Sequence, residues 1–352
     1  MTASAAPVAS PLIDAFGRHI TYVRISVTDR CNLRCRYCMP KAGPEWMERG
    51  TILSFDEIER FVRVAAARGV RKIRLTGGEP MVRRGLTDLV RRIAAIPGIQ
   101  TVAMTTNATM LARSAVELKA AGLTRLNISL DSLRRDRFRE ITKADMFDDV
   151  WAGIQAALAA GFAPLKLNVV VIRGFNDDEL ADFARLTLTH AVHVRFIEYM
   201  PIGADGTDWS RDRVVPAAEI RERLMAEVGL EPEGSPADRE AGGLPAATLD
   251  GDAGPERLWR VPGGGRVGFI SAVSDEFCAR CNRVRLTSDG MLRGCLMRDG
   301  EVDFRAAFRN AADDAEISAL LDSAMGRKPE KHLINSDEFV ASGYYTMNRL
   351  GG

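Results

Sequence analysis

Three cysteines fall within eight residues of "TDRCNLRCRYCMP" (28–40): Cys31, Cys35 and Cys38, spaced C-x3-C-x2-C. Thiolates are soft donors, and at this spacing in one loop they select zinc or an iron–sulfur centre. A closed zinc site wants four ligands, and the one nearby histidine, His19, lies upstream of the adjoining strand. The spacing therefore favours a [4Fe–4S] centre held through three irons with the fourth left open, with structural zinc as the alternative. Cys278, Cys281 and Cys295 form a second triplet, C-x2-C-x13-C, and exhaust the six cysteines of the chain. His332 is the one histidine downstream, so a Cys3His zinc site competes with a second open centre able to bind substrate.

Other polar residues collect at the ends of strand-like runs. "TGGEP" (76–80) follows the second run, Thr105–Asn107 the third and Ser129–Asp131 the fourth. Glycines allow close backbone approach to a ligand, although GGEP by itself is more often a turn. Lys72, Arg74, Lys166 and Arg195 interrupt otherwise apolar runs. They are either solvated or turned inward to meet an anion by charge-assisted hydrogen bonds. Lys72 and Arg74, two residues apart, share one strand face.

The elements that must position these groups alternate. Strand candidates 22–28, 71–76, 101–106, 124–130, 165–171 and 192–200 are separated by amphipathic helical stretches. One of these, 54–69, opens with a Ser54/Glu57 capping box. Such alternation implies an α/β fold with a parallel sheet and helices outside. Six units are too few for a closed eight-fold barrel, and periodicity fits both a partial barrel and an open doubly wound sheet. In either, active-site residues sit at strand C-termini. The expected divisions are a loose leader (1–19), a six-unit domain (20–230), a Pro/Gly/Asp/Glu-rich linker or insertion (231–257) and a C-terminal domain with the second triplet (258–352).

Bulk properties narrow the class. The 352 residues are 46% hydrophobic and 27% charged, and carry a formal net charge of +1. That balance argues against general binding to nucleic acid or anionic membranes, and it makes any cationic patch local. No apolar run approaches the roughly 20 residues of a membrane span, and the N-terminus lacks the pattern of a secretory signal. A cytoplasmic protein with reduced thiols is expected, so metal binding outranks disulfides.

C-x3-C-x2-C after the first strand, with Tyr37 before the last cysteine and GGEP at the next strand end, resembles the radical S-adenosylmethionine (SAM) enzymes. Within that superfamily, the C-x2-C-x13-C triplet, "CNRVRLT" and the terminal Gly-Gly are similar to the GTP 3′,8-cyclases of molybdenum cofactor biosynthesis (the molybdenum cofactor biosynthesis protein A family). The resemblance implies a partial (β/α)6 TIM-like barrel with a smaller cluster-binding C-terminal domain. It also implies two [4Fe–4S] clusters, SAM on the first and GTP on the second. Cys31, Cys35, Cys38, Cys278, Cys281 and Cys295 would be the ligands. Tyr37, Gly77, Gly78, Glu79, Ser129 and Met200 resemble the SAM contacts. Arg24, Lys72, Arg74, Thr105, Lys166, Arg195, Arg283, Val284 and Arg285 resemble the GTP contacts. Arg24, Arg283, Arg285, Gly351 and Gly352 would serve catalysis, the glycines as a tail threaded toward the site. An external electron donor, a downstream enzyme and a homodimer are the expected partners. The rivals are another radical SAM enzyme, such as a peptide-maturing one, and a non-catalytic zinc or iron–sulfur module. Two departures stand out. "TTNA" replaces the family's TTNG, so Ala108 is expected to lose a left-handed turn, and Leu350 replaces a commoner isoleucine.

Overall fold

The computed structural model describes residues 10–40, 43–202, 209–233, 244–245, 255–336 and 347–351. Six parallel strands appear where alternation places them: β1 (Tyr22–Ser26), β2 (Lys72–Thr76), β3 (Thr101–Thr106), β4 (Arg125–Ser129), β5 (Leu165–Val171) and β6 (Val192–Glu198). They pair in sequence order, β1-β2-β3-β4-β5-β6. The helices α1 (Phe55–Ala67), α2 (Leu86–Ala94), α3 (Ala115–Ala120), α4 (Arg135–Thr142), α5 (Phe147–Ala159) and α6 (Leu180–Thr189) lie between them. Ser54 caps α1 in a reciprocal box with Glu57, as its sequence predicts.

Side chains alternate along each strand. Val23, Ile25, Ile73, Leu75, Val102, Met104, Leu126, Ile128, Leu167 and Val194 are at most 2% exposed and form the core shared with the helices. The opposite face carries Tyr22, Arg24, Lys72, Arg74, Thr105, Arg125, Asn127, Lys166, Asn168 and Arg195, which line a cavity. The apolar pattern thus faces outward and the polar pattern inward.

The last third of the chain completes both flanks of this sheet. After α7 (Ala217–Val228) come β7 (Glu231–Pro232), β8 (Leu244–Pro245), β9 (Arg257–Val261) and β10 (Gly265–Ile270), then β11 (Arg283–Leu286), β12 (Met291–Arg293) and β13 (Val302–Asp303). β10 runs parallel beside β6, and β11 runs parallel beside β1. The described strands form one thirteen-stranded sheet, ordered β13-β12-β11-β1-β2-β3-β4-β5-β6-β10-β9-β7, with β8 pairing off β9. Helices Phe304–Arg309 and Asp314–Gly326 follow, and a short helix, Met347–Leu350, precedes Gly351.

Two expectations are corrected. Residues 10–19, read as part of a loose leader, are packed: Leu12 is buried and Ile13 bridges His19. Arg18 is salt-bridged to Asp14 at 2.6 Å and donates to the carbonyls of Cys278, Pro329 and Glu330. Residues 1–9 lie outside the described residues, as does most of 231–257. The second correction is Ala108, which keeps the left-handed turn with φ 63°. A non-glycine residue there costs on the order of 1–3 kcal/mol, and Ala108 is fully buried where the carbonyl oxygen and Cβ of this residue abut Gly153 of α5.

Candidate active site

Both cysteine triplets line one cavity of about 710 Å³. Cys31, Cys35 and Cys38 lie in the loop after β1. Cys278 and Cys281 precede β11, and Cys295 follows β12. β11 starts level with Tyr22 at the beginning of β1, so the two sulfur sets stand at opposite ends of the barrel wall. The five residues of β1, at about 3.3 Å each, separate the strand ends from which the two sets spring by roughly 16 Å. Among the described residues, no three His, Cys, Asp or Glu side chains converge at the spacing of a single bound ion.

The first loop is braced by the ends of β2, β3 and β4. Gly78 N donates to Thr28 O and Glu79 N to Arg30 O, both at 2.8 Å. A Cβ on Gly77 would lie 2.5 Å from Thr28 O, and one on Gly78 would lie 2.4 Å from Arg30 O. Glycine is required here by the cysteine loop's own backbone, a closer reason than approach to a ligand. Glu79 is buried and accepts from Met81 N, Thr106 Oγ1 and Asn107 N at 2.7–3.0 Å. Burial outweighs those donors and brings its carboxyl up to about 7. Tyr37 Oη donates to Asp131 at 2.8 Å, and Val170 N donates to the other oxygen of the same carboxylate. Burial raises Asp131 to about 6. Burial also pushes the Cys31 thiol up to about 11, and drives Cys35 and Cys38 up further as the three sulfurs repel one another's charge.

Cations form the middle of the cavity. Arg285, Arg24 and Arg74 stand in lateral register on β11, β1 and β2, one row above Arg283, Tyr22 and Lys72. Burial, with the neighbouring guanidiniums, lowers Arg24 well below the ordinary arginine range and Arg285 to about 10. Burial brings Lys72 down to about 7. Tyr22 Oη accepts from Arg74 Nε at 2.5 Å. Burial opposes ionisation of that phenol, yet Arg74, Arg24 and Lys72 bring it down to about 7. Across the cavity, Lys166 and Arg195 lie 3.2 and 3.8 Å from the buried Glu256 carboxylate, and His193 Nε2 lies 2.8 Å from it. Despite its burial, these three hold Glu256 well below the usual carboxylate range.

All the candidate ligands and contacts named from the sequence reach this cavity except three. Val284 turns its side chain into the core. Gly351 sits at the wall: its carbonyl accepts from Arg285 Nη1 at 2.7 Å, and its Cα faces Thr76. Gly352 lies outside the described residues. Asn348 anchors the tail by donating to Asp29 O at 2.9 Å. Sequence reasoning placed Asn107 and Asp131 among the polar strand ends of the site without a specific role, and gave none to Tyr22, Arg125, Glu256 or Lys328. Extending the two-residue alternation of Lys72 and Arg74 to the neighbouring strands picks out Tyr22 and Arg125. Glu256 and Lys328 carry no such signal.

Residues 25–187 match the radical SAM superfamily, and residues 192–334 match the molybdenum cofactor synthesis C-terminal family. The chain is 50% identical to a GTP 3′,8-cyclase of Pelotomaculum thermopropionicum over 91% of its own length and 94% of that protein's. It is 48% identical to the Heliobacterium modesticaldum GTP 3′,8-cyclase over 97% and 100%. The chain belongs to the GTP 3′,8-cyclase family of radical SAM enzymes. Its fold is similar to that of Streptococcus suis SuiB bound to S-adenosylmethionine, with a TM-score of 0.57 and 16% identity over 89% of this chain and 68% of that one.

The residues fit what this membership brings. Cys31, Cys35 and Cys38 supply three soft donors facing one cavity, a donor set that fits an iron–sulfur cluster. Tyr37, Ser129 and Met200 line the same cavity. Among the described residues no helix is long and apolar enough to cross a membrane.

Proposed function

We propose that this cyclase converts GTP to (8S)-3′,8-cyclo-7,8-dihydroguanosine 5′-triphosphate, the first step of molybdenum cofactor biosynthesis. The observation that carries the reading is the cationic belt between two cysteine triplets. Arg24, Lys72, Arg74, Arg283 and Arg285 on one wall face Lys166 and Arg195 on the other. A triphosphate carries roughly four negative charges, and buried guanidiniums in lateral register bind such a group by short charge-assisted hydrogen bonds. Thr105, whose hydroxyl lies 3.4 Å from Arg74 Nη1, adds a neutral contact.

Cys31, Cys35 and Cys38 would hold the first cluster, which with S-adenosylmethionine would supply hydrogen-atom abstraction at ribose C3′. The chain's own contribution is position and exclusion. The cations fix the triphosphate, and through it the ribose, at a set depth along the barrel. Arg285 joins Gly351 to the wall, so the tail narrows access of water to the site. On this reading Cys278, Cys281 and Cys295 would hold a second [4Fe–4S] cluster, which would supply a binding point for guanine. The lysines and arginines line the cavity wall between the two sulfur sets, within reach of the triphosphate of a nucleotide whose ribose lies between the two centres.

An external one-electron donor, a homodimer and a downstream enzyme that consumes the cyclised nucleotide belong to the same reading. A cytoplasmic setting goes with it, since thiols that take up iron must stay reduced. The test is anaerobic reconstitution followed by addition of S-adenosylmethionine, reductant and GTP. About eight irons per chain and a GTP-dependent cyclised nucleotide are expected. Iron in one centre alone refutes the second cluster, and 5′-deoxyadenosine without any nucleotide product refutes the cyclase.

A further inference from the structure

Lys328 follows helix Asp314–Gly326 and is 3% exposed. Its ammonium donates to Gly294 O at 2.7 Å and Arg283 O at 3.1 Å, and lies 3.6 Å from Cys281 Sγ. Among the described residues no carboxylate pairs with it. A buried ammonium is costly without an anion beside it, and the anionic group within reach is the Cys281 thiolate.

The same lysine joins two segments that are separate in the chain. Gly294 immediately precedes Cys295, and a Cβ there would lie 2.8 Å from Lys328 Cα. Lys328 therefore ties the Cys281 strand to the Cys295 turn, while Arg18 holds the Cys278 carbonyl from the other side. The first triplet is built differently. Among the described residues Cys31 Sγ receives neutral donors, Leu33 N at 3.4 Å and Asn107 Nδ2 at 3.8 Å. The guanidinium of Arg34, in the same loop, is directed to the carbonyls of Cys31 and Leu33.

We propose that Lys328 is a positioning residue that serves as the built-in countercharge of the second sulfur site, making a centre held by Cys278, Cys281 and Cys295 easier to reduce than the one held by Cys31, Cys35 and Cys38. The inference rests on the two-cluster reading above. One electron from an external one-electron reductant enters the centre with no proton. The reduced centre carries one more negative charge, which a fixed ammonium 3.6 Å from a ligand sulfur stabilises. The first centre, with no buried ammonium at its sulfurs among the described residues, keeps the lower potential that reductive cleavage of a sulfonium requires.

The experiment uses two full-length backgrounds, one with Cys31, Cys35 and Cys38 changed to alanine and the other with Cys278, Cys281 and Cys295 changed. Each is reconstituted anaerobically with iron and sulfide, assayed for iron, and titrated with dithionite under EPR. The expected midpoint of the second centre lies above that of the first. Lys328→Met shifts the second midpoint downward, and Lys328→Arg, which keeps the charge, restores most of the shift. A Lys328→Met protein that holds its iron at an unchanged midpoint overturns the proposal, as does a reversed order of the two centres. Loss of iron in Lys328→Met that Lys328→Arg rescues, with a midpoint near the parent's, supports a charge role. Loss in both variants assigns the lysine to packing and overturns it. A parent background that takes up zinc but no iron refutes the two-cluster reading itself, which separates that failure from a failure of the lysine's role.

Discussion

Gly78→Ala is a sharp test of how the first cysteine loop is held. A Cβ at Gly78 would sit 2.4 Å from Arg30 O and 2.6 Å from both Arg30 C and Asp29 O, where ordinary contact begins near 3.4 Å. The obstructing atoms are backbone and cannot rotate away. The loop leading into Cys31 must therefore retreat by about 1 Å, stretching the Gly78–Thr28 and Glu79–Arg30 hydrogen bonds. Overpacking of this kind costs about 1–3 kcal/mol, a loss a chain of this size tolerates. The functional cost is larger, because a 1 Å displacement of reacting groups lowers rates by about 10²-fold. The assay is 5′-deoxyadenosine formation from S-adenosylmethionine by reconstituted protein, with iron content and melting temperature measured alongside. Gly50→Ala, where a Cβ meets nothing within 4 Å, is the control. A Gly78→Ala protein that cleaves S-adenosylmethionine within threefold of the parent would refute the bracing role of this glycine.

Other outcomes follow from the same geometry. Gly351→Ala places a Cβ 2.3 Å from Thr76 Cγ2 at φ +76°. It should expel the tail and lower cyclised product at least tenfold, while 5′-deoxyadenosine formation without GTP persists; product and 5′-deoxyadenosine assays run in parallel decide. Lys72 loses its proton and Tyr22 gains its charge near pH 7. Both changes weaken an anion site, so KM for GTP should rise between pH 6.5 and 8.5 by up to about tenfold per proton coupled per pH unit. Lys72→Met combined with Tyr22→Phe should flatten that profile. Glu79, raised from 4.5 to about 7 in the folded chain, favours folding most below pH 4.5, and that advantage is lost as pH rises through 7. The difference amounts to roughly 3 kcal/mol. Denaturant melts at pH 5 and 8 should show a stability gap that narrows in Glu79→Gln.

Local rules made much of the barrel readable. The six strands announced themselves because β-branched runs alternate with amphipathic helices, and Ser54 and Glu57 marked the start of α1 by capping chemistry. α4 went unread because "RDRFREIT" is mostly charged and buries just Phe138, Ile141 and Thr142. Long-range pairings left no trace in sequence: nothing local says that "RVRL" (283–286) will lie beside "YVRI" (22–25). The site divides the same way. The cysteines and inward-facing cations obey spacing and alternation, whereas Glu256 sits at the edge of a Pro/Gly-rich stretch and Lys328 follows a helix. Arg18 was hidden for a related reason, since its partners are three carbonyls more than 250 residues away. Ala108 shows the limit of residue preference: tertiary packing against α5 keeps a left-handed turn that propensity alone would give up.

The pairing of β11 with β1 also sets an order of events during synthesis. Tyr22 meets Arg283, a partner 261 residues later in the chain. At about 5–20 residues per second, the ribosome delivers that partner roughly 13–50 s after β1 emerges. For that interval β1 presents an unsatisfied row of N–H and C=O groups, the kind of edge that recruits wrong partners. β6 waits less long, for β10. A nascent chain halted before residue 283 should therefore be far more prone to aggregate than one halted after residue 293, when both flanks can close.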